Sequence, residues 1–208
     1  DHKDALRFEL MKHFGYYVTE SSEHNAEYTP YWIKQGYPEL IERFQIPLDE
    51  YPRRCREQIR SWETMRRDLI DRNASLEHTR SYEYGAQVVE SLAAGIPGRV
   101  HGNVLNRGLI PNLPDDAVVE VPCLTDRNGV QGVYSGQLPL GPAALNRAAL
   151  SVVQLTIEAA LTGSRELLYQ AAMTDPHTAA ELSLDDIVSL CDDMLIAHGD
   201  YCRIIGHD

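Results

Sequence analysis

The sequence predicts an α+β fold, mostly helical, with one small antiparallel sheet in its middle. Apolar residues recur at helical spacing in the first and last thirds of the chain, and glycines stand where those helices must stop. Between them lies a valine-rich stretch with two-residue alternation and an Asn128-Gly129 turn, the pattern of strands joined by a hairpin.

Each element follows from its residues. Asp4 to Lys12 carries Leu6, Leu10 and Met11 on one helical face, and Gly15 is placed to cap it. Ser21 or Ser22 can cap a short second helix through Glu27, which Pro30 ends. From Leu48 to Arg72, Cys55, Ile59, Trp62, Met65 and Leu69 repeat at steps of four and three, describing one long amphipathic helix whose apolar stripe is expected to be core. A helix from Ser81 to Ala94 ends at Gly95, and Ile96-Pro97-Gly98 turns the chain into strands. The strands are Val100 to Leu105, Ala117 to Pro122 after the turn Pro114-Asp115-Asp116, and Val130 to Tyr134. After Pro142 helices return. Ala143 to Leu161 is apolar almost all round, hence expected to be buried, with Gly163 as its stop; helices at Arg165 to Met173 and Leu184 to His198 follow.

The 208 residues suit one domain, 1–208, and 43% hydrophobic residues is an ordinary globular value. No apolar run reaches the roughly 20 residues of a membrane span, and no signal-peptide pattern opens the chain, so neither membrane nor export is expected. Net charge is −12, and the arginines between Arg53 and Arg72 alternate with acids; this argues against a nucleic-acid footprint, which needs a basic patch of one sign. Cys55, Cys123, Cys191 and Cys202 lack CxxC spacing and suit reduced thiols in a cytoplasm rather than a zinc knuckle. The sequon Asn73-Ala74-Ser75 is expected to be accidental.

Chemistry concentrates between Phe14 and Tyr28, where hydroxyls, carboxylates and one imidazole make a span too polar to be core filling. Ser21, Ser22 and Glu23 read equally as a helix cap with first-turn acid or as substrate contacts. His24 has no second ligand four residues on, so it reads as a cleft histidine before a metal ligand. Asn103 and Asn106 could orient hydroxyls at the mouth of the sheet, or serve plain turn chemistry beside Gly108. His177, following Pro176 at a helix start, reads as structural.

Six stretches in fixed order resemble the glycoside hydrolases of family 4, in particular their alpha-galactosidase branch. They are Gly15-Tyr16-Tyr17-Val18-Thr19-Glu20-Ser21-Ser22-Glu23-His24 with Ala26-Glu27-Tyr28, Gly102 to Ile110, Asn112 to Val121, Asp126 to Gly129, Glu158 to Gly163 and Ala171 to Ala180. The resemblance implies the C-terminal, substrate-side domain of a longer cytoplasmic enzyme, without the Rossmann unit, since no glycine-rich strand-to-helix turn is present. It also implies NAD and Mn2+ as cofactors of the whole enzyme with none bound by this chain alone, a small alpha-galactoside as substrate, the missing N-terminal half as partner, and a homo-oligomer. An alpha-galacturonidase or alpha-glucosidase of the same family, or a non-catalytic dimerising domain, is the alternative.

Family 4 is itself an exception to the two-carboxylate mechanism of glycosidases. The implied chemistry removes hydride from sugar C3, deprotonates C2, eliminates the glycosidic oxygen, adds water and returns the hydride. The family's base, a tyrosine, corresponds here to Tyr16, with Tyr17 as its rival and a packed aromatic as the plain alternative. A phenol does this work near neutral pH only where positive charge stabilises the phenolate.

Overall fold

The computed structural model describes residues 3–70 and 79–202. The sequon at Asn73 and the expected helix end at Arg72 lie outside the described residues. The described chain is mostly helical with one three-stranded sheet, as the sequence predicts. Its described residues form two compact units, one of 3–46, 101–124 and 130–202, the other of 47–70, 79–100 and 125–129.

The first unit opens with α1 (Ala5–Phe14), which Gly15 ends in the left-handed conformation, φ 79°, its N–H bonded to Met11 O at 2.7 Å. Helix α2 (Ser22–Tyr28) starts on Ser21, whose Oγ accepts from His24 N. A short α3 (Glu39–Arg43), too brief to show periodicity, follows. Leu6 and Leu10 of α1, Ala26 of α2 and Trp32, Phe44 and Ile46 beyond α2 bury together, with Trp32 edge-on to Phe44 at 4.7 Å. This cluster is the bed on which the polar 15–28 segment rests.

Strands β1 (Gly98–Leu105), β2 (Val118–Asp126) and β3 (Gly129–Gly132) pair in that order, β2 and β3 joined through the expected Asn128-Gly129 turn. Along β2 the alternation is clear: Val119, Val121 and Cys123 are buried while Val118, Glu120 and Leu124 face out. Helices α6 (Leu140–Thr162), α7 (Arg165–Thr174), α8 (Pro176–Glu181) and α9 (Leu184–His198) complete the unit, with a 3-10 turn at Gly199–Cys202. Gly163 caps α6 at φ 72°, and Ser164, Asp175 and Ser183 cap α7, α8 and α9 through their side chains. The expected burial of the 143–161 helix is overturned. Only Ala143 and Ala159 of α6 are buried, while Val153, Ile157 and Leu161 are exposed. An all-apolar helix needs cover on every side, and the described residues supply it on part of α6 alone.

The second unit holds α4 (Glu50–Ile70) and α5 (Gly85–Ala94). The expected core role of the α4 stripe is also overturned, since this helix buries none of its residues and Ile59, Trp62, Met65 and Leu69 are all exposed. Helix α5 begins four residues later than expected, because Ser81 Oγ accepts from Glu83 N in a local turn rather than capping a helix. Its end is as read, on left-handed Gly95. Ser91 anchors this end, its Oγ 2.6 Å from Ile96 O and 2.9 Å from Thr125 Oγ1. A side chain at Gly98 would put its Cβ 2.7 Å from that Thr125 hydroxyl, so glycine is required there. Among the described residues no helix is long and apolar enough to cross a membrane.

Candidate active site

The 15–28 segment is shaped by an arginine that sequence reasoning did not single out. Arg7 of α1 donates from Nε to Val18 O at 2.9 Å and from Nη2 to Thr19 O at 3.1 Å. Its third branch meets Asp4 at 3.0 Å, and the guanidinium lies over the Tyr17 ring, 4.3 Å from its centre. One side chain thus holds three consecutive residues, Tyr17 by its face and Val18 and Thr19 by their carbonyls. Tyr17 is further braced by Phe8, with ring centres 6.0 Å apart. Tyr16, the expected base, is 55% exposed, so the packed-aromatic alternative does not describe it.

Beyond Thr19 the chain is bonded to itself. Ser21 N donates to Glu20 Oε1, and buried Asn25 gives Nδ2 to the carbonyls of Glu20 and Ser21, both at 2.9 Å. Thr29 Oγ1 donates to Asn25 O at 2.6 Å. The two serines therefore part company. Ser21 spends its oxygen on the α2 cap, whereas Ser22 Oγ is closed to solvent and has no hydrogen-bond partner among the described residues. Ser22 therefore offers a sugar nothing in this arrangement, while the Ser21 hydroxyl keeps its donor hydrogen. His24 places Nδ1 3.0 Å from Glu27 Oε2 and stacks on Tyr28 at 5.9 Å. The hydrogen bond to Glu27 raises the His24 pKa above its ordinary value, opposed by partial burial and assisted by Glu20 and Glu23.

The segment forms one wall of a cleft of about 500 Å³ to which Tyr16, Tyr17, Thr19, Glu20 and Tyr28 contribute. The opposite wall is Leu138, Pro139, Pro142, Leu145 and Asn146 at the start of α6. Gly141 permits this approach: a Cβ there would stand 3.3 Å from the Phe14 ring. The wall is hung from the β1–β2 loop by Asn112, whose Nδ2 donates to Leu138 O at 2.8 Å and whose Oδ1 accepts from Leu138 N at 3.0 Å. Asn112 carried no distinguishing signal in the sequence, since its partner lies 26 residues on.

The two candidate asparagines of the sheet do not reach this cleft. Asn106 is fully buried; Nδ2 lies within 3.0 Å of the carbonyls of Ile110, Leu113 and Pro114, and Oδ1 accepts from Ile110 N at 2.7 Å. Every polar edge is occupied by backbone, so Asn106 holds the 106–114 loop and is not a substrate contact. The turn-chemistry reading is the right one, with Arg107 and Gly108 at positive φ beside it. Asn103 lies on the exposed face of β1 and is absent from the cleft lining.

A second cleft, about 450 Å³, lies beside α8. Its charges neutralise each other: Lys34 Nζ meets Glu181 Oε1 at 2.7 Å and Gln35 N donates to the other carboxylate oxygen, lowering the Glu181 pKa. His177 lines it, with Nδ1 buried and no partner among the described residues. The first cleft, rich in phenols and hydroxyls over apolar surface, has the composition of a sugar site.

Comparisons with known proteins agree with the sequence resemblance. The model of the family 4 glycosyl hydrolase C-terminal domain matches residues 1–178. An alpha-galactosidase of Bacillus subtilis is 58% identical over 200 residues, covering 96% of this chain and 46% of that protein. The chain thus spans about half the length of the curated relatives it matches. The crystal structure of lplD from Bacillus subtilis superposes with a TM-score of 0.81 at 26% identity, covering 92% of this chain and 43% of that one. A 6-phospho-alpha-glucosidase from gut microorganisms, in complex with NAD and Mn2+, has the same fold at a TM-score of 0.70 and 21% identity, covering 94% of this chain and 43% of its own. A 6-phospho-alpha-glucosidase from gut microorganisms in complex with NAD and glucose-6-phosphate matches over 56% of this chain and 26% of its own at 32% identity and a TM-score of 0.52. The chain belongs to the family 4 glycosyl hydrolases and carries their C-terminal domain.

Proposed function

We propose that this chain is the substrate-side part of an alpha-galactosidase that hydrolyses small, uncharged alpha-galactosides, with Tyr16 as the base that removes the sugar C2 proton. The observation that carries the reading is the 58% identity to an alpha-galactosidase over nearly the whole chain. The cleft supports it: Tyr16 presents an exposed phenol on a segment fixed from behind by Arg7, and among the described residues no Lys, Arg or His lines the cleft to favour an anionic sugar.

The described residues do not fit the cofactors of the family. Among them no group of three His, Cys, Asp or Glu side chains could hold a metal ion, and the chain has no Gly-x-Gly-x-x-Gly turn. NAD and Mn2+ are proposed as groups of the whole protein. What this chain does is bind and orient the sugar, shield it with the Leu138–Pro142 wall and accept a proton at the Tyr16 oxygen.

The test is Tyr16→Phe in the intact enzyme with an aryl alpha-galactoside. General base catalysis is worth about 10²–10⁴-fold, so turnover falls in that range with KM little changed, and exchange of the substrate C2 hydrogen with solvent slows in parallel. Tyr17→Phe, whose ring rather than hydroxyl is engaged by Arg7, is expected to be mild. Equal losses in the two variants would remove Tyr16 from the role.

A further inference from the structure

The apolar face of α4 has heptad order. Tyr51, Cys55, Gln58, Trp62, Met65 and Leu69 follow one another at alternating steps of four and three, the seam of a two-stranded coiled coil, with Ile59 on its edge. Five of the six seam residues are apolar. Tyr51, Trp62, Met65 and Leu69 are exposed and Cys55 is half-buried. A helix of this length, roughly 30 Å, draws most of its stability from packing of its apolar face rather than from propensity, so the stripe calls for a partner. Its own ion pairs, Glu50 with Arg53 and Arg54 and Arg53 with Glu57, help the helix without covering that face.

We infer that α4 pairs with α4 of a second copy of this chain, antiparallel, about a twofold axis passing beside Arg60 and Ser61. In that register all six seam positions are used. Tyr51 meets the partner's Leu69, Cys55 the partner's Met65 and Gln58 the partner's Trp62, each contact made twice by symmetry. On one flank Ile59 meets its own copy. On the other, the small Ser61 meets its own copy, and Arg54 faces the partner's Asp68, so two opposite-charge contacts close the ends of the seam. A parallel pairing of the same helix stacks Gln58 on Gln58 and sets Arg54 against Ile59 and Ser61 against Arg66, with no opposite charges across the flanks. The one opposite-charge contact of the flanks, made twice by symmetry, thus forms only in the reversed register, as an isologous interface allows.

Charge exchange tests this without disturbing the seam. Sedimentation of the 208-residue chain should show a dimer. Arg54→Asp and Asp68→Arg, each placing like charges across the interface twice, should each weaken self-association roughly tenfold. Mixing those two variants, or combining both changes in one chain, should restore it, since each arrangement again sets opposite charges face to face. Trp62→Glu should give a monomer whose first unit melts as before. A chain that stays monomeric at every concentration overturns the inference. So does a dimer indifferent to both charge reversals, which would pair through another face. A version extended to the full length of its relatives that remains monomeric while protecting the α4 amides from exchange also overturns it, and gives the stripe to that extension.

Discussion

Arg7→Met removes the splint of the candidate catalytic segment while keeping the aliphatic stem. The guanidinium makes two bonds to main-chain carbonyls, and its side chain is only 17% exposed. Each such bond is worth about 1 kcal/mol net. The face contact with Tyr17 adds about 0.5–1 kcal/mol, and the partly exposed pair with Asp4 a few tenths at most. Local opening of residues 16–20 should become easier by about 3 kcal/mol, close to a hundredfold in the open population. The readout is limited chymotrypsin cleavage after Tyr16 and Tyr17 under conditions where reclosing outpaces cutting, so that rate follows the open population. Cleavage there should accelerate by up to that factor, with far smaller change at Tyr134 in the β3–α6 connection. Arg7→Lys keeps charge but loses the fork and should recover only a minor part. Unchanged cleavage in Arg7→Met would refute the splint, and equal acceleration at all tyrosines would make Arg7 a residue of global stability alone.

Two further outcomes follow. Asn106→Ala strands a buried N–H and several carbonyls of the 106–114 loop, and should cost about 3 kcal/mol, or near 10 °C in thermal midpoint for a chain of this size; a midpoint within 2 °C of the parent, roughly the scatter of a surface change, contradicts that role. The raised pKa of His24 means that its pairing with Glu27 stabilises fully below the unfolded pKa of about 6.5 and fades as pH rises through the folded value. The midpoint difference between the parent and Glu27→Gln should therefore shrink with rising pH, and a difference that grows would reverse the assignment.

What was legible in the sequence is what local chemistry determines. Gly15, Gly95 and Gly163 end their helices in the left-handed conformation because no other residue adopts it so cheaply, and Ser21 caps α2 because its oxygen reaches the N–H three residues on. Periodicity identifies an apolar face but cannot say what lies opposite it. That is why α4 and α6, read as core, are exposed over most of their length. Arg7 and Asn112 escaped notice for a related reason: each acts on backbone 11 to 26 residues away, and no spacing rule connects them to the segments they hold. Asn106 misled because an amide suits a sugar hydroxyl and a loop carbonyl equally, and only burial separates the two.

The charge of the cleft bears on which sugar it admits. A phosphorylated sugar, such as the glucose-6-phosphate held by the related 6-phospho-alpha-glucosidase, needs cationic or N–H partners. Among the described residues Arg7, the cation behind this cleft, is already committed to two carbonyls and Asp4. Glu20 lines the cleft instead, and a like charge within about 6 Å in a half-solvated site costs about 1 kcal/mol or more, near tenfold in affinity. On the proposed reading the same repulsion acts on a uronic acid. Of the two amides, Asn25 gives Nδ2 to the carbonyls of Glu20 and Ser21, whereas Asn146 commits one Nδ2 hydrogen to Pro142 O and keeps further hydrogen-bonding capacity at the cleft. On the proposed reading, discrimination at the sugar hydroxyls within this chain falls to the phenols of Tyr16, Tyr17 and Tyr28, to Thr19 and Glu20 and to Asn146, so a change of sugar preference made within this chain is to be sought in the Tyr16–Glu20 segment, at Tyr28 and at Asn146.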